Sequence, residues 1–213
     1  MATVDIWRWA LRPDPALAAH LSPDEHARAA RFVHAEHRVA FEAARGRMRE
    51  ILGRMLDREP RDLSFDYGPQ GKPTVPGGPP FNLSHSGGCA VLAVSDGPEV
   101  GVDIEAWRDV EPGVAARYFT AAERRALAEM PFESGFFRCW TRKEAVIKAD
   151  GRGLSMRLDA FDVTLDPEPA LTRIDGDDPG HWHLIDLGEP AGMSGALAVR
   201  DAAGPPVLRR HAD

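Results

Sequence analysis

The chain has 213 residues, a formal net charge of −7 and a composition of 43% hydrophobic and 28% charged residues, enough to bury the core of one domain or of two small halves. The acidic balance excludes a sequence-independent grip on nucleic acid, which depends on surplus Lys and Arg facing phosphate, so any anion site must be local. Cys89 and Cys139 each lie inside an apolar run and read as buried free thiols of a reducing compartment rather than a disulfide. The first apolar patch carries Asp5 and Arg8, too charged for a signal peptide, and no later run is long enough to span a membrane, so a cytoplasmic location is expected.

Ser-Pro-Asp-Glu at 22–25 supplies an N-cap serine, a proline at the first helical position and acids in the first turn, predicting a helix from Ser22 to about Met55. It carries Arg28, Arg31, Arg38, Arg45, Arg47 and Arg49, and arginines on a helix most often form a solvated face. Residues 63–68 read as a strand and 69–80, rich in Pro and Gly around Lys72, as a surface loop. Residues 89–95 and 100–107 are β-rich and separated by Asp-Gly-Pro, which predicts a hairpin. Helices follow over 111–130 and 133–150, the first broken near Thr120, which caps a new helix with Glu123 at its third position. Strands resume at 160–165, 181–187 and 195–200. This order predicts an α+β fold of two related halves meeting near residue 98, divided as 1–98 and 99–213.

Three stretches carry chemistry. In Val-Gly-Val-Asp-Ile-Glu, strand alternation puts Val100, Val102 and Ile104 on one face and Gly101, Asp103 and Glu105 on the other, the two carboxylates roughly 6.6 Å apart along the strand. Such oxygen ligands suit Mg²⁺ shared with a phosphorylated substrate, although the spacing alone also describes an exposed strand edge. On the helix at 133–150, Glu144 follows Trp140 by four residues and precedes Lys148 by four. That is either a surface ion pair or a carboxylate beside an apolar stripe that a metal shared with Asp103 and Glu105 would pair. In Asn-Leu-Ser-His-Ser-Gly-Gly at 82–88, the hydroxyls of Ser84 and Ser86, the ring of His85 and the glycine N–H groups suit a phosphate cradle, or simply a turn where a strand begins. Adjacent Ser and His point apart on an extended chain, which excludes a serine hydrolase pair.

Taken together, Gly-Lys-Pro at 71–73, Phe-Asn-Leu-Ser-His-Ser-Gly-Gly at 81–88, Gly-Val-Asp-Ile-Glu at 101–105 and Trp-Thr-Arg-Lys-Glu-Ala-Val-Ile-Lys-Ala-Asp-Gly-Arg-Gly-Leu at 140–154 resemble the 4′-phosphopantetheinyl transferases of the surfactin-synthetase-activating type, over roughly residues 22–165. The resemblance implies a monomer of two related halves with coenzyme A in the cleft between them. It further implies Mg²⁺-dependent transfer of phosphopantetheine from coenzyme A to a serine of an apo-acyl or peptidyl carrier protein, releasing adenosine 3′,5′-bisphosphate. Carried over by motif, Asp103, Glu105 and Glu144 match the metal carboxylates, and Lys143 and Lys148 the lysines beside the pyrophosphate. Lys72, Ser84 and His85 match coenzyme A contacts, His85 near the 3′-phosphate, while Arg28 and Arg45 fall toward the adenosine end. Glu144, a water it orients, or Glu123 is the implied base. Glu25 departs from relatives that carry lysine there, which weakens the charge holding the nucleotide. Carrier docking is expected near Val110, Val114, Tyr118 and Phe119, with Arg117, Arg124 and Arg125 at the rim. A metal-dependent nuclease or phosphoesterase and a non-enzymatic coenzyme A-binding module are the competing readings.

Overall fold

The structure is a computed structural model that describes residues 2–200 and 203–211. In chain order it contains β1 (Thr3–Ala10), α1 (Pro15–Ala18), α2 (Pro23–Ala29), α3 (Ala35–Leu56), β2 (Asp66–Tyr67), β3 (Pro73–Thr74), β4 (Phe81–Ser86), β5 (Cys89–Ser95), β6 (Glu99–Ala106), α4 (Pro112–Tyr118), α5 (Ala121–Leu127), α6 (Phe132–Asp150), β7 (Phe161–Val163), β8 (Leu171–Ile174), β9 (Trp182–Asp186), β10 (Met193–Arg200) and β11 (Val207–His211). This is the α+β arrangement that the sequence predicts.

The same connectivity occurs twice. Among the described residues, the larger two of the four sheets have the orders β11-β1-β5-β4 and β6-β10-β9; β1-β5-β4 and β6-β10-β9 are both antiparallel, and β11 adds in parallel beside β1. Ser22 and Thr120 open α2 and α5 with the same reciprocal cap, the hydroxyl accepting from the backbone of Glu25 or Glu123 and that carboxylate accepting from the cap's own N–H. Both glutamates are buried and paired with a base on the long helix that follows, Glu25 with Arg45 and Arg49, Glu123 with Lys143. Ser22 and Thr120, Glu25 and Glu123, and Arg45 and Lys143 each stand 98 residues apart.

Two expectations need correction. The helix predicted from Ser22 to Met55 is broken, α2 ending at Ala29 and α3 starting at Ala35. In a continuous helix Glu25 would lie about 30 Å from Arg45, whereas the turn brings their side chains within 2.7 Å. The hairpin predicted between 89–95 and 100–107 does not form either: β5 lies between β1 and β4, and β6 pairs with β10. The hairpin joins β4 to β5 instead, turning at Gly87 and Gly88 with φ of 57° and 75°, a left-handed pair that glycine adopts without strain.

Val100, Val102 and Ile104 of β6 are buried in an apolar layer with Val4, Val91 and Leu197, each contributing roughly 1.5–3 kcal/mol of burial. The opposite face of β6 meets α6. A β-carbon on Gly101 would lie 2.1 Å from the Ala145 carbonyl oxygen and 2.3 Å from the Ala149 nitrogen, so the helix backbone rests directly on the strand.

Candidate active site

The close approach of α6 to β6 brings the chemistry together. Leu83, Ser84 and His85 of β4, Asp103 and Glu105 of β6, and Trp140, Glu144 and Lys148 of α6 line one open cavity of about 410 Å³. The Lys148 ammonium donates to Asp103 Oδ1 at 2.6 Å, the Val102 carbonyl at 3.1 Å and Ser84 Oγ at 3.2 Å, which uses all three of its protons. To face a substrate anion it must release one of these partners.

The hydroxyls placed in a phosphate cradle by sequence are engaged within the protein. Ser84 Oγ donates to Asp103 Oδ1 at 3.0 Å and accepts from the Ile104 N–H at 3.3 Å; Ser86 Oγ donates to Glu105 Oε2 at 2.8 Å and accepts from the Ala106 N–H at 3.0 Å. Asp103 Oδ2 is buried with no hydrogen-bond partner. Burial pushes the carboxyls of Asp103 and Glu144 above their ordinary values; the negative charges of Asp103 and Glu105 add to this at Glu144, and Lys148 opposes it at both. Burial and then the Lys148 ammonium push His85 below the usual imidazole value. Among the described residues no three His, Cys, Asp or Glu side chains converge into a ready metal cage, and the acidic donors around the cavity are all hard oxygens.

A second cavity of about 560 Å³ is lined by Arg28 and Arg45 together with Arg31, Arg49, Phe41 and Tyr67. Glu25, the apparent weakness of this turn, is clamped by Arg45 and Arg49 at 2.5 Å each. Burial would raise its carboxyl, but Arg45, the Ser22 N–H and Arg49 outweigh that and hold it below the usual range.

Several residues are elsewhere. Lys143 is 0% exposed and Glu123 1%; they bond to each other at 2.5 Å, and Val163 N–H and Phe161 C=O complete the pair. Lys143 and Glu123 are therefore spent on each other inside the protein and line neither of the two cavities. Lys72 is bound to Glu99 at 2.8 Å and to the Val100 carbonyl at 3.2 Å and lines neither of the two cavities. Phe119, placed in the docking surface by sequence, is 3% exposed and packs on Phe136, so it is core; Val110, Val114 and Tyr118 are half-buried against that core. Sequence reading missed Arg49 and Trp140 as cavity residues. A polar residue at every second position of β4, Asn82, Ser84 and Ser86, was the available signal that this strand edge faces something polar.

The raised Glu144 carboxyl has a testable sign. A carboxyl raised in the folded state favours the protonated fold, so stability is full below the ordinary value near 4.5 and is lost as pH rises through the raised one. Metal-free Glu144→Gln is expected to melt about 2 °C above the parent at pH 8 and level with it at pH 4, a small effect because solvent at the open cavity screens the repulsion. Equal melting temperatures at both pH values would show that the carboxyl carries no such cost.

The model of the 4′-phosphopantetheinyl transferase superfamily matches residues 99–199. The chain is 40% identical over 212 residues to the 4′-phosphopantetheinyl transferase HetI of Nostoc sp., covering 92% of this chain and 87% of that protein. It belongs to the 4′-phosphopantetheinyl transferase superfamily. This transferase is also 33% identical to the putative 4′-phosphopantetheinyl transferase slr0495 of Synechocystis sp., over 80% of this chain and 73% of the other. With the 4′-phosphopantetheinyl transferase Sfp of Bacillus subtilis it shares 32% identity over 68% of this chain and 66% of Sfp. The cavity between β4, β6 and α6 is thus the candidate active site of a transferase, and its β6 and α6 residues fall inside the matched segment.

Proposed function

We propose that this chain transfers 4′-phosphopantetheine from coenzyme A to a serine hydroxyl of an apo-acyl or peptidyl carrier protein and releases adenosine 3′,5′-bisphosphate. The observation that carries the reading is the convergence of Asp103, Glu105, Glu144, Lys148 and His85 on one cavity in a chain of this superfamily. The test is mass spectrometry of apo-carriers incubated with the enzyme, coenzyme A and Mg²⁺. A mass gain of one phosphopantetheine, with nucleotide released only when apo-carrier is present, is the expected result. Nucleotide release without carrier would indicate a phosphoesterase, and binding without turnover a coenzyme A module.

In the proposed reaction the carrier serine oxygen attacks the β-phosphorus, and the bond from phosphorus to the oxygen of the bisphosphate breaks. Glu144, its carboxyl raised by burial, is suited to take the serine proton directly or through a water it orients. Lys148 turns from the Val102 carbonyl toward the departing phosphate and neutralises its growing charge. Asp103, Glu105 and Glu144 would hold Mg²⁺: Asp103 Oδ2, buried without a partner, is an oxygen that a hard cation satisfies, and Mg²⁺ commonly needs only one or two carboxylates beside water and substrate phosphate. When bound, the ion supplies Lewis-acid polarisation of the pyrophosphate.

Arg28 and Arg45, in the cavity of about 560 Å³ with Arg31 beside them, are assigned to the adenosine end, and Lys72 to a coenzyme A contact that requires it to leave Glu99. His85 is assigned to the 3′-phosphate. Because burial and the Lys148 ammonium push its imidazole below the usual value, binding a phosphate there favours uptake of a proton. The preference for coenzyme A over 3′-dephospho-coenzyme A is therefore expected to grow severalfold from pH 8 to pH 6 and to flatten in His85→Ala. A pH-independent preference in the parent would remove His85 from that phosphate.

The carrier is assigned to α4 and the segment leading into it, where Val110, Val114 and Tyr118 are half-buried and Arg117 lies beside them. Val110→Asp with Val114→Asp is expected to raise the carrier KM severalfold at unchanged coenzyme A KM; an unchanged carrier KM in the folded variant would move the docking surface elsewhere. The chain is proposed to act as a monomer in the cytoplasm; among the described residues no helix is long and apolar enough to cross a membrane.

A further inference from the structure

β4 and β6 are the edges of two different sheets and face each other without a backbone ladder between them. An edge strand leaves every second N–H without a partner, and such donors are costly to bury unpaired. Here side chains take the place of the missing strand. Asn82 Oδ1, Ser84 Oγ and Ser86 Oγ, at alternate positions of β4, accept in turn from the backbone N–H groups of Val102, Ile104 and Ala106, the first at 2.8 Å.

The three side chains are not equivalent. Asn82 serves only the backbone in this zipper, whereas each serine spends its single proton on the carboxylate that precedes its N–H partner in β6, Ser84 on Asp103 and Ser86 on Glu105. A hydroxyl can do both, having one proton and two lone pairs; an alanine or an acceptor-only group cannot. For Asp103 the result is that Oδ1 is taken by Ser84 and Lys148 while Oδ2 is left without a partner. For Glu105 the bonds from Ser86 and Arg108 both fall on Oε2.

We propose that Ser84 and Ser86 are positioning residues, which fix one oxygen of Asp103 and of Glu105 so that the other is presented to a divalent cation, and that the β4 edge in this way sets the metal affinity of the β6 carboxylates. The inference rests on the reading of those carboxylates as the metal site. It differs from a direct grip on coenzyme A, because the serine hydroxyls act through Asp103 and Glu105.

The test uses Ser86→Ala, Ser86→Thr and Asn82→Ala in the full-length protein, with Ser84→Ala as a second, more buried variant. Two readouts are taken: the Mg²⁺ concentration giving half-maximal turnover, and that giving the half-maximal rise in melting temperature at fixed coenzyme A. Ser86→Ala is expected to need about 10-fold more Mg²⁺ by both measures, the lower end of what removing a group behind a metal ligand costs, with coenzyme A KM unchanged at saturating metal. Ser86→Thr, which keeps the hydroxyl, is expected to stay within about 3-fold of the parent. Asn82→Ala is expected to lower the melting temperature, because the buried Val102 N–H loses its acceptor, without moving the Mg²⁺ requirement. A parental Mg²⁺ requirement in both serine-to-alanine variants, or an equal shift in Asn82→Ala, overturns the inference and makes the zipper purely structural. If Asp103→Ala abolishes the metal response while the serine variants leave it alone, the metal-site reading stands and only the positioning role falls. If Asp103→Ala also leaves it alone, both fall.

Discussion

Asp103→Ala is expected to lower the rate of phosphopantetheine transfer by at least about 10²-fold, the loss typical of removing one preorganised partner of transition-state charge. The variant should remain folded. Burial already pushes the Asp103 carboxyl upward, so deleting the group relieves a cost, and Lys148, which is 27% exposed at its side chain, can turn toward solvent. The measurement is steady-state transfer to an apo-carrier beside a thermal melt. Near-parental turnover that still depends on Mg²⁺ would remove Asp103 from the metal site.

Glu123→Ala is expected to have the largest effect on stability, about 3–5 kcal/mol, because it strands a buried ammonium. For a chain of this length that corresponds to a fall in melting temperature of roughly 6–20 °C. Lys143 lies at 4.2 Å over the Phe161 ring and joins α5, α6 and β7 through Glu123, Phe161 and Val163. Lys143→Met should therefore also destabilise strongly, and the double variant Glu123→Leu with Lys143→Met should recover most of the loss, since an apolar pair of similar volume often replaces a buried ion pair at little cost. Turnover of the folded fraction should stay within about tenfold of the parent, far from the loss expected for a group acting on the transition state. A Lys143→Met protein with a parental melting temperature and a rate lowered about 10²-fold would return this lysine to the pyrophosphate.

The same residue pair shows what sequence could and could not supply. The capping signature at Thr120 and Glu123 was legible because capping is local chemistry, and so were β6 and α6, whose apolar alternation and helical spacing are written within a few residues. That Glu123 would be consumed by Lys143, 20 residues on, was not legible, because nothing local distinguishes a carboxylate that faces a substrate from one that faces a core. Motif order carried Lys143 to the substrate; packing carried it inward. The hairpin error has the same origin: Asp-Gly-Pro at 96–98 has turn chemistry, but turn chemistry does not say whether the chain folds back on its own strand or crosses to another sheet. The repeat was present in the sequence as Val4-Asp5-Ile6 and Val102-Asp103-Ile104, at the same 98-residue offset as the capping boxes. Three shared residues per element are too few to stand out without the sheet order beside them.

Gly101 carries no chemistry, yet the contact beneath it is a calibrated gap. Strand and helix are separated by the thickness of a backbone with one methyl subtracted, since an added carbon would sit 2.1 Å from the Ala145 carbonyl oxygen. Any side chain there acts as a wedge, prising Glu144 and Lys148 on one wall from Asp103 and Glu105 on the other. The reactive groups would keep their identities and lose their common focus. For anyone redesigning this enzyme, the tolerance of the site to substitution is thus decided partly at a position that lines neither cavity, where the only acceptable side chain is none.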